Sequence, residues 1–163
     1  MNARGIPLHQ PTKNPEKSIS RVTINGAMMG SLFLILTLIW TLGPEKFNIY
    51  IIAQLVLAIP LLFISGLAYA KVGFRSKIRL FDRFGWITTV LGNNFILNVT
   101  GLIAATFSKT LSVIYFSLVF TLILIYYAIN VFHCGDSLKE ELIKVFVILA
   151  IILIGGILPL ILM

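Results

Sequence analysis

Charge is scarce in this chain of 163 residues, and acid is scarcest: 6 Asp and Glu stand against 13 Lys and Arg, and only 12% of residues are charged. Soluble domains carry about 25% charged residues. With 58% hydrophobic residues, a water-soluble fold of this size could not hide its apolar surface, whereas a lipid solvent removes the problem. Cysteine is almost absent: Cys134 is the only one, so an intrachain disulfide is excluded and the redox compartment is not legible. Segments of about 9–11 residues with alternating polarity are missing, which excludes a β-barrel reading. No HExxH, GxSxG or Walker loop occurs. No acid or base lies deep inside an apolar run, which argues against a proton-coupled antiporter.

What is present is long apolar runs. Five of them, at about 22–42, 47–70, 84–107, 111–133 and 142–163, have 21 to 24 residues each. At 1.5 Å per residue such a run reaches roughly 31–36 Å, enough to cross a hydrocarbon core of about 30 Å. Backbone groups in lipid must bond within their own segment, which selects helices. The expected fold class is an all-α membrane protein, a bundle of five transmembrane helices with the N-terminus in and the C-terminus out. Residues 1–21 read as a disordered basic cytoplasmic tail, because Pro7, Pro11 and Pro15 break any helical period, with a helix admissible from Ser18 onward. Residues 22–163 read as a single transmembrane domain. The first run is too long for a signal-peptide core and no small-x-small cleavage site follows it, so it is expected to be retained.

The breaks are Gly43-Pro44, the basic segment from Lys71 to Arg83, the turn Ser108-Lys109-Thr110, and Gly135-Asp136-Ser137. Asp136 or Ser137 suits an N-cap, with Glu140 and Glu141 in the following first turn. Orientation follows from the basic residues near helix ends. Arg4, Lys13, Lys17, Arg21, Lys71, Arg75, Lys77, Arg79, Arg83, Lys139 and Lys144 fall on one side, and only Lys46 and Lys109 on the other. The positive-inside rule therefore puts the tail in the cytoplasm. The net charge of +7 then points to anionic lipid headgroups on the cytoplasmic face as partners rather than to nucleic acid. Short loops suggest a multi-pass protein of a prokaryotic plasma membrane.

The third run is the most informative. Asn93, Asn94 and Asn98 lie near its middle, with Thr88, Thr89 and Thr100 nearby. At 100° per residue Asn94, Asn98, Gly101 and Ala105 share a stripe, and Thr89, Asn93 and Thr100 an adjacent one. Amides face lipid only at a cost, so these stripes should face other helices. With Gln54 of the second run they form a candidate polar path or a helix-packing seam. The sequon Asn98-Val99-Thr100 lies at membrane depth and is set aside. Pro60, and Gly155-Gly156 with Pro159, should kink the second and fifth helices. Gly26 and Gly30 form a GxxxG face and, with Gly101, are the candidate packing glycines.

The basic segment interleaves Phe74, Ile78 and Phe81 with Lys71, Arg75, Lys77, Arg79 and Arg83. This suits an interfacial helix whose cations are candidate lipid-headgroup contacts. Asp82 reads as an ion-pair partner or an interfacial acid or base. His133, Cys134 and Asp136 are too few for a zinc site, and His9 could join them only by folding of the tail. Cys134 suits palmitoylation or a plain interfacial thiol. Ser65 and His133 could meet near one interface, but a serine before glycine is too common to mark a catalytic pair. No metal or cofactor is expected, and enzymatic activity is not indicated.

These observations favour a non-enzymatic polytopic membrane protein, an accessory or assembly subunit of a membrane complex or a structural membrane protein, with a membrane-protein partner or a second copy. Two alternatives remain. One is a small transporter or channel with its polar path on the third helix. The other is an interfacial lipid-modifying enzyme using Arg75, Arg79, Asp82 and His133.

Overall fold

A computed structural model describes residues 15–72, 78–133 and 138–162. Its elements are α1 (Pro15–Leu42), a 3-10 turn (Pro44–Lys46), α2 (Ile49–Val72), α3 (Ile78–Phe107), α4 (Lys109–His133), α5 (Leu138–Ile152), a π-helical turn (Leu153–Ile157) and α6 (Leu158–Leu162). No strand occurs among the described residues. Five helical stretches are long and apolar enough to cross a membrane, the last comprising α5, the π turn and α6. Large side chains such as Trp40, Phe132 and Phe146 point away from the protein. Outward apolar faces of this extent belong in lipid, and the chain is a multi-pass membrane protein.

Helix ends follow local chemistry. Proline suits a first helical turn, whose N–H groups lack intrahelical partners, and α1 begins at Pro15, ahead of Ser18. It ends at Gly43, whose φ of 95° is a backbone state that glycine enters without strain. Asn48 caps α2, its Oδ1 accepting the Tyr50 N–H at 3.1 Å. Ser108 alone separates α3 from α4, its hydroxyl accepting the Leu111 N–H at 3.4 Å. Ser112 closes that hairpin by donating to the Gly101 carbonyl at 2.8 Å.

Residues 78–83 belong to α3 itself, not to a separate interfacial helix. An unbroken α3 keeps their backbone bonds inside one ladder and lets the basic end emerge directly from the span. Residues 73–77, with Arg75 and Lys77, lie outside the described residues, as do the Arg79 side chain, the tail 1–14 and the segment 134–137 with the N-cap candidates Asp136 and Ser137.

The centre of the bundle is the antiparallel pair α2–α3. A Cβ on Gly85 would come 3.0 Å from the Tyr69 ring, and one on Gly92 would come 2.8 Å from Leu62. Tyr69 and Leu62 are seven residues apart, as are Gly85 and Gly92, so small residues of α3 meet large ones of α2 at heptad steps. This is the spacing of a shallow left-handed crossing, roughly 20°. Helix α1 lies on α2, while α4 and α5 lie on α3. One apolar core joins α1, α2 and α3 through Leu32, Leu55, Leu62 and Val99; a smaller one joins α4 and α5 through Phe116, Ile148 and Ile152. Burial within the span reaches 44% for α3 but only 11% for α4, so α3 is the hub and α4 the periphery.

Candidate functional site

Polar groups gather in three places. The first is near the middle of the spans, where α2, α3 and the π turn meet. Pro159 has no N–H, so the carbonyl four residues earlier, that of Gly155, loses its helical partner. Gln54 fills the gap, its Nε2 donating to the Gly155 carbonyl at 2.8 Å. Asn98 donates to the Ile151 carbonyl at 3.3 Å. The irregularity expected at Gly155, Gly156 and Pro159 is thus a π-helical turn stabilised by amides from two other helices. Both glycines are required for it. A Cβ on Gly155 would lie 3.1 Å from Gln54 Oε1, and one on Gly156 would lie 2.6 Å from Phe116 and 2.9 Å from Asn98 Oδ1.

Asn94, one turn along α3, donates to the Val90 carbonyl at 2.7 Å. The carbonyl oxygens of Gln54, Asn93, Asn94 and Asn98 are buried with no hydrogen-bond partner among the described residues. Gln54, Asn94 and Asn98 therefore use their donors on backbone and leave their acceptors open. Thr100 stands apart, exposed and bonded to the Ile96 carbonyl of its own helix at 2.9 Å. Gly101 packs directly against the Phe116 ring, while Gly26 and Gly30 of α1 have no atom within 4 Å of where a Cβ would stand.

The second place is a network toward the basic end. Asn25 of α1 donates to Ser65 of α2 at 2.8 Å, and Ser65 donates to the Gly85 carbonyl of α3 at 2.9 Å. Thr89 touches both Asn25 and Ser65 and hydrogen-bonds Tyr69. The Arg21 guanidinium lies 4.7 Å over the Tyr69 ring and pairs with Asp82. Three helices are tied together by these side chains. Sequence reading missed Asn25 as a site, and it treated Ser65 as a long-shot partner of His133; Ser65 is instead fully buried as a structural hub. The available signal was spacing: Arg21 and Asn25, Ser65 and Tyr69, and Gly85 and Thr89 are each four apart, one face on each helix.

The third place is an open cavity of about 770 Å³ at the same end, bounded by α3, α4 and α5 with Arg21 at its edge. Arg83, Trp86, Tyr126, Tyr127, Asn130 and Glu141 line it. Glu141, in the first turn of α5, is 2% exposed and pairs through one oxygen with Lys144. Its other oxygen, Oε2, is buried with no partner among the described residues. Of the remaining cations of the basic segment, Lys71 lies 5.4 Å from the Phe81 ring.

Of the interfacial-enzyme constellation, only the Asp82 side chain lies among the described residues. Asp82 is engaged by Arg21, while Arg75 and the side chains of Arg79 and His133 lie outside the described residues. Among the described residues no group of three or more His, Cys, Asp or Glu could hold a metal. No family model, curated protein or solved structure matches the chain.

Proposed function

We propose that this chain is a non-enzymatic subunit of a larger membrane assembly and that it docks through the outer face of α1. The observation that carries this reading is a contrast among glycines. Gly85, Gly92, Gly101, Gly155 and Gly156 each sit against a side chain of another helix, closely enough that a Cβ would crowd it. Gly26 and Gly30 sit against nothing, although they form the most recognisable close-packing motif in the chain. Gly66 is also open, but no second glycine stands beside it on α2. The opposite face of α1 is spent on Asn25 and Leu32, both buried against the bundle. A helix anchored on one side with glycines on the other suits a second helix at short distance, where backbone contact supplies the van der Waals attraction that lipid cannot. The partner's chemistry is that of another transmembrane helix with a small-residue face.

Extraction of the native membrane into polymer nanodiscs, followed by mass spectrometry of what co-purifies, tests this. A stoichiometric membrane partner that is lost on Gly26→Leu or Gly30→Leu, with the helical content and melting temperature of the chain retained, is the expected outcome. Partner retention by both variants, or a chain that purifies alone, would sink the reading.

A second reading, a small carrier or channel, draws on the open amide oxygens of Gln54, Asn93, Asn94 and Asn98. Buried acceptors without partners are rare in packed interiors, and a broken helix facing them is the arrangement many carriers use at the midplane. Asn94→Leu with Asn98→Leu separates the readings. Loss of transport in proteoliposomes with folding retained supports a path, and loss of folding supports a packing seam.

A further inference from the structure

We infer that the cavity between α3, α4 and α5 binds a headgroup that carries both an ammonium and a phosphate. The inference is independent of the docking reading, because the docking glycines lie on the outer face of α1. It starts from Glu141. A carboxylate that is 2% exposed needs donors for both oxygens. Lys144 serves Oε1, and Oε2 has no donor among the described residues. Glu141 lines the cavity, so a small shift of its side chain brings Oε2, unpaired among the described residues, to a donor held there.

The rest of the wall narrows the class of ligand. Arg83 is exposed on α3 and lines the same cavity. Asp82, the acid beside it, is engaged by Arg21, which leaves Arg83 available to an anion. Trp86, Tyr126 and Tyr127 also line the space, and aromatic faces attract ammonium groups. A cation on a ligand would therefore be received by Glu141 and the rings, and an anion by Arg83. Arginine suits phosphate, whose oxygens match its planar fork. The apolar side chains Ile87, Ile143 and Val147 continue the lining along α3 and α5, a surface suited to an acyl chain. A neutral-overall head with one charge of each sign fits both walls; an anionic head without an ammonium leaves Glu141 unanswered.

The same chemistry is offered by an aminophospholipid or by a free phosphorylated amino alcohol. The test uses the purified full-length chain in detergent, with lipid adducts read by native mass spectrometry. The probes are dioleoyl phosphatidylethanolamine, dioleoyl phosphatidylglycerol with the same chains and no ammonium, and free O-phosphoethanolamine. The expected result is a preference of about tenfold for the ethanolamine lipid, the size of one charge-assisted hydrogen bond. Glu141→Gln should abolish that preference, and Arg83→Gln should weaken both lipids together. Trp86→Leu, which leaves the buried carboxylate untouched, should lower the preference even if Glu141→Gln fails to fold. Displacement of the lipid by free O-phosphoethanolamine would assign the site to a soluble head, and its failure to displace would assign it to the lipid. Equal binding of the two lipids by the wild-type chain would mean that water alone completes Glu141, and would overturn the inference, as would a preference that survives both Glu141→Gln and Trp86→Leu.

Discussion

Gly156 shows how little room single residues have in this bundle. A methyl group there would meet both the Phe116 ring and the Asn98 amide, at 2.6 and 2.9 Å. Overpacking of this kind costs about 1–3 kcal/mol. Gly156→Ala should lower the melting temperature of the detergent-solubilised chain, and Phe116→Leu in the same chain should recover part of the loss. A simple additive loss in the double variant would show that the two side chains do not compete for the same space. Ser65 is the polar counterpart. It accepts from Asn25 and donates to the Gly85 carbonyl, so Ser65→Ala removes a tie between three helices. Membrane hydrogen bonds contribute on average about 0.6 and at most about 1.7 kcal/mol. The loss on Ser65→Ala should therefore be modest in equilibrium unfolding, near the upper part of that range, because more than one bond is lost. A loss indistinguishable from zero would place the strength of the network elsewhere, in the Arg21–Asp82 pair.

The fifth span owes its shape to a single missing proton. Pro159 cannot donate to the Gly155 carbonyl, the helix widens into a π turn over Leu153–Ile157, and Gln54 donates from another helix instead. These facts are coupled, and the coupling can be measured. Pro159→Ala returns an N–H that competes with Gln54 for the same carbonyl. Gln54→Leu should then be less damaging in the Pro159→Ala background than in the wild-type chain, by about 0.5–1.5 kcal/mol in a double-mutant cycle. Independent effects of the two substitutions would mean that the π turn has another cause. A kink at this place was legible from Gly155, Gly156 and Pro159. Its π character and the role of Gln54 were not, because which side chain reaches a freed carbonyl depends on the register between α2 and α5, and nothing in either segment encodes that register alone.

At the scale of the molecule, the charge pattern and the contacts report different things. Basic residues predict the orientation of the whole bundle, with Lys71 on the cytoplasmic side and Lys46 outside. In a chain with Cys134→Ser, an impermeant maleimide applied to intact cells should label Lys46→Cys and leave Lys71→Cys unlabelled until the membrane is opened. The reverse pattern would invert the topology and move the Glu141 cavity to the outer face. The contacts, in contrast, determine which helix is central. All five spans are apolar enough to cross a membrane, and α3, the least apolar of them, is the most enclosed while α4 is the least. The amide content of α3 hinted at this, since amides avoid lipid.

The sequence by itself determined that the chain is helical and that it has five segments long and apolar enough to cross a membrane, because hydropathy acts within one segment and lipid leaves the backbone no other solution. Only the tertiary structure decided that Asn25 faces Ser65 while Gly26 faces outward, that Asp82 answers Arg21 rather than its neighbour Arg83, that Thr100 stands apart from the buried amides, and that Glu141 is buried with one oxygen unpaired among the described residues. Each depends on the rotation of one helix against another. In lipid that rotation is set by the fit of side chains across helices, since lipid tails and apolar side chains are alike to an outward-facing residue and the hydrophobic effect does not choose between faces.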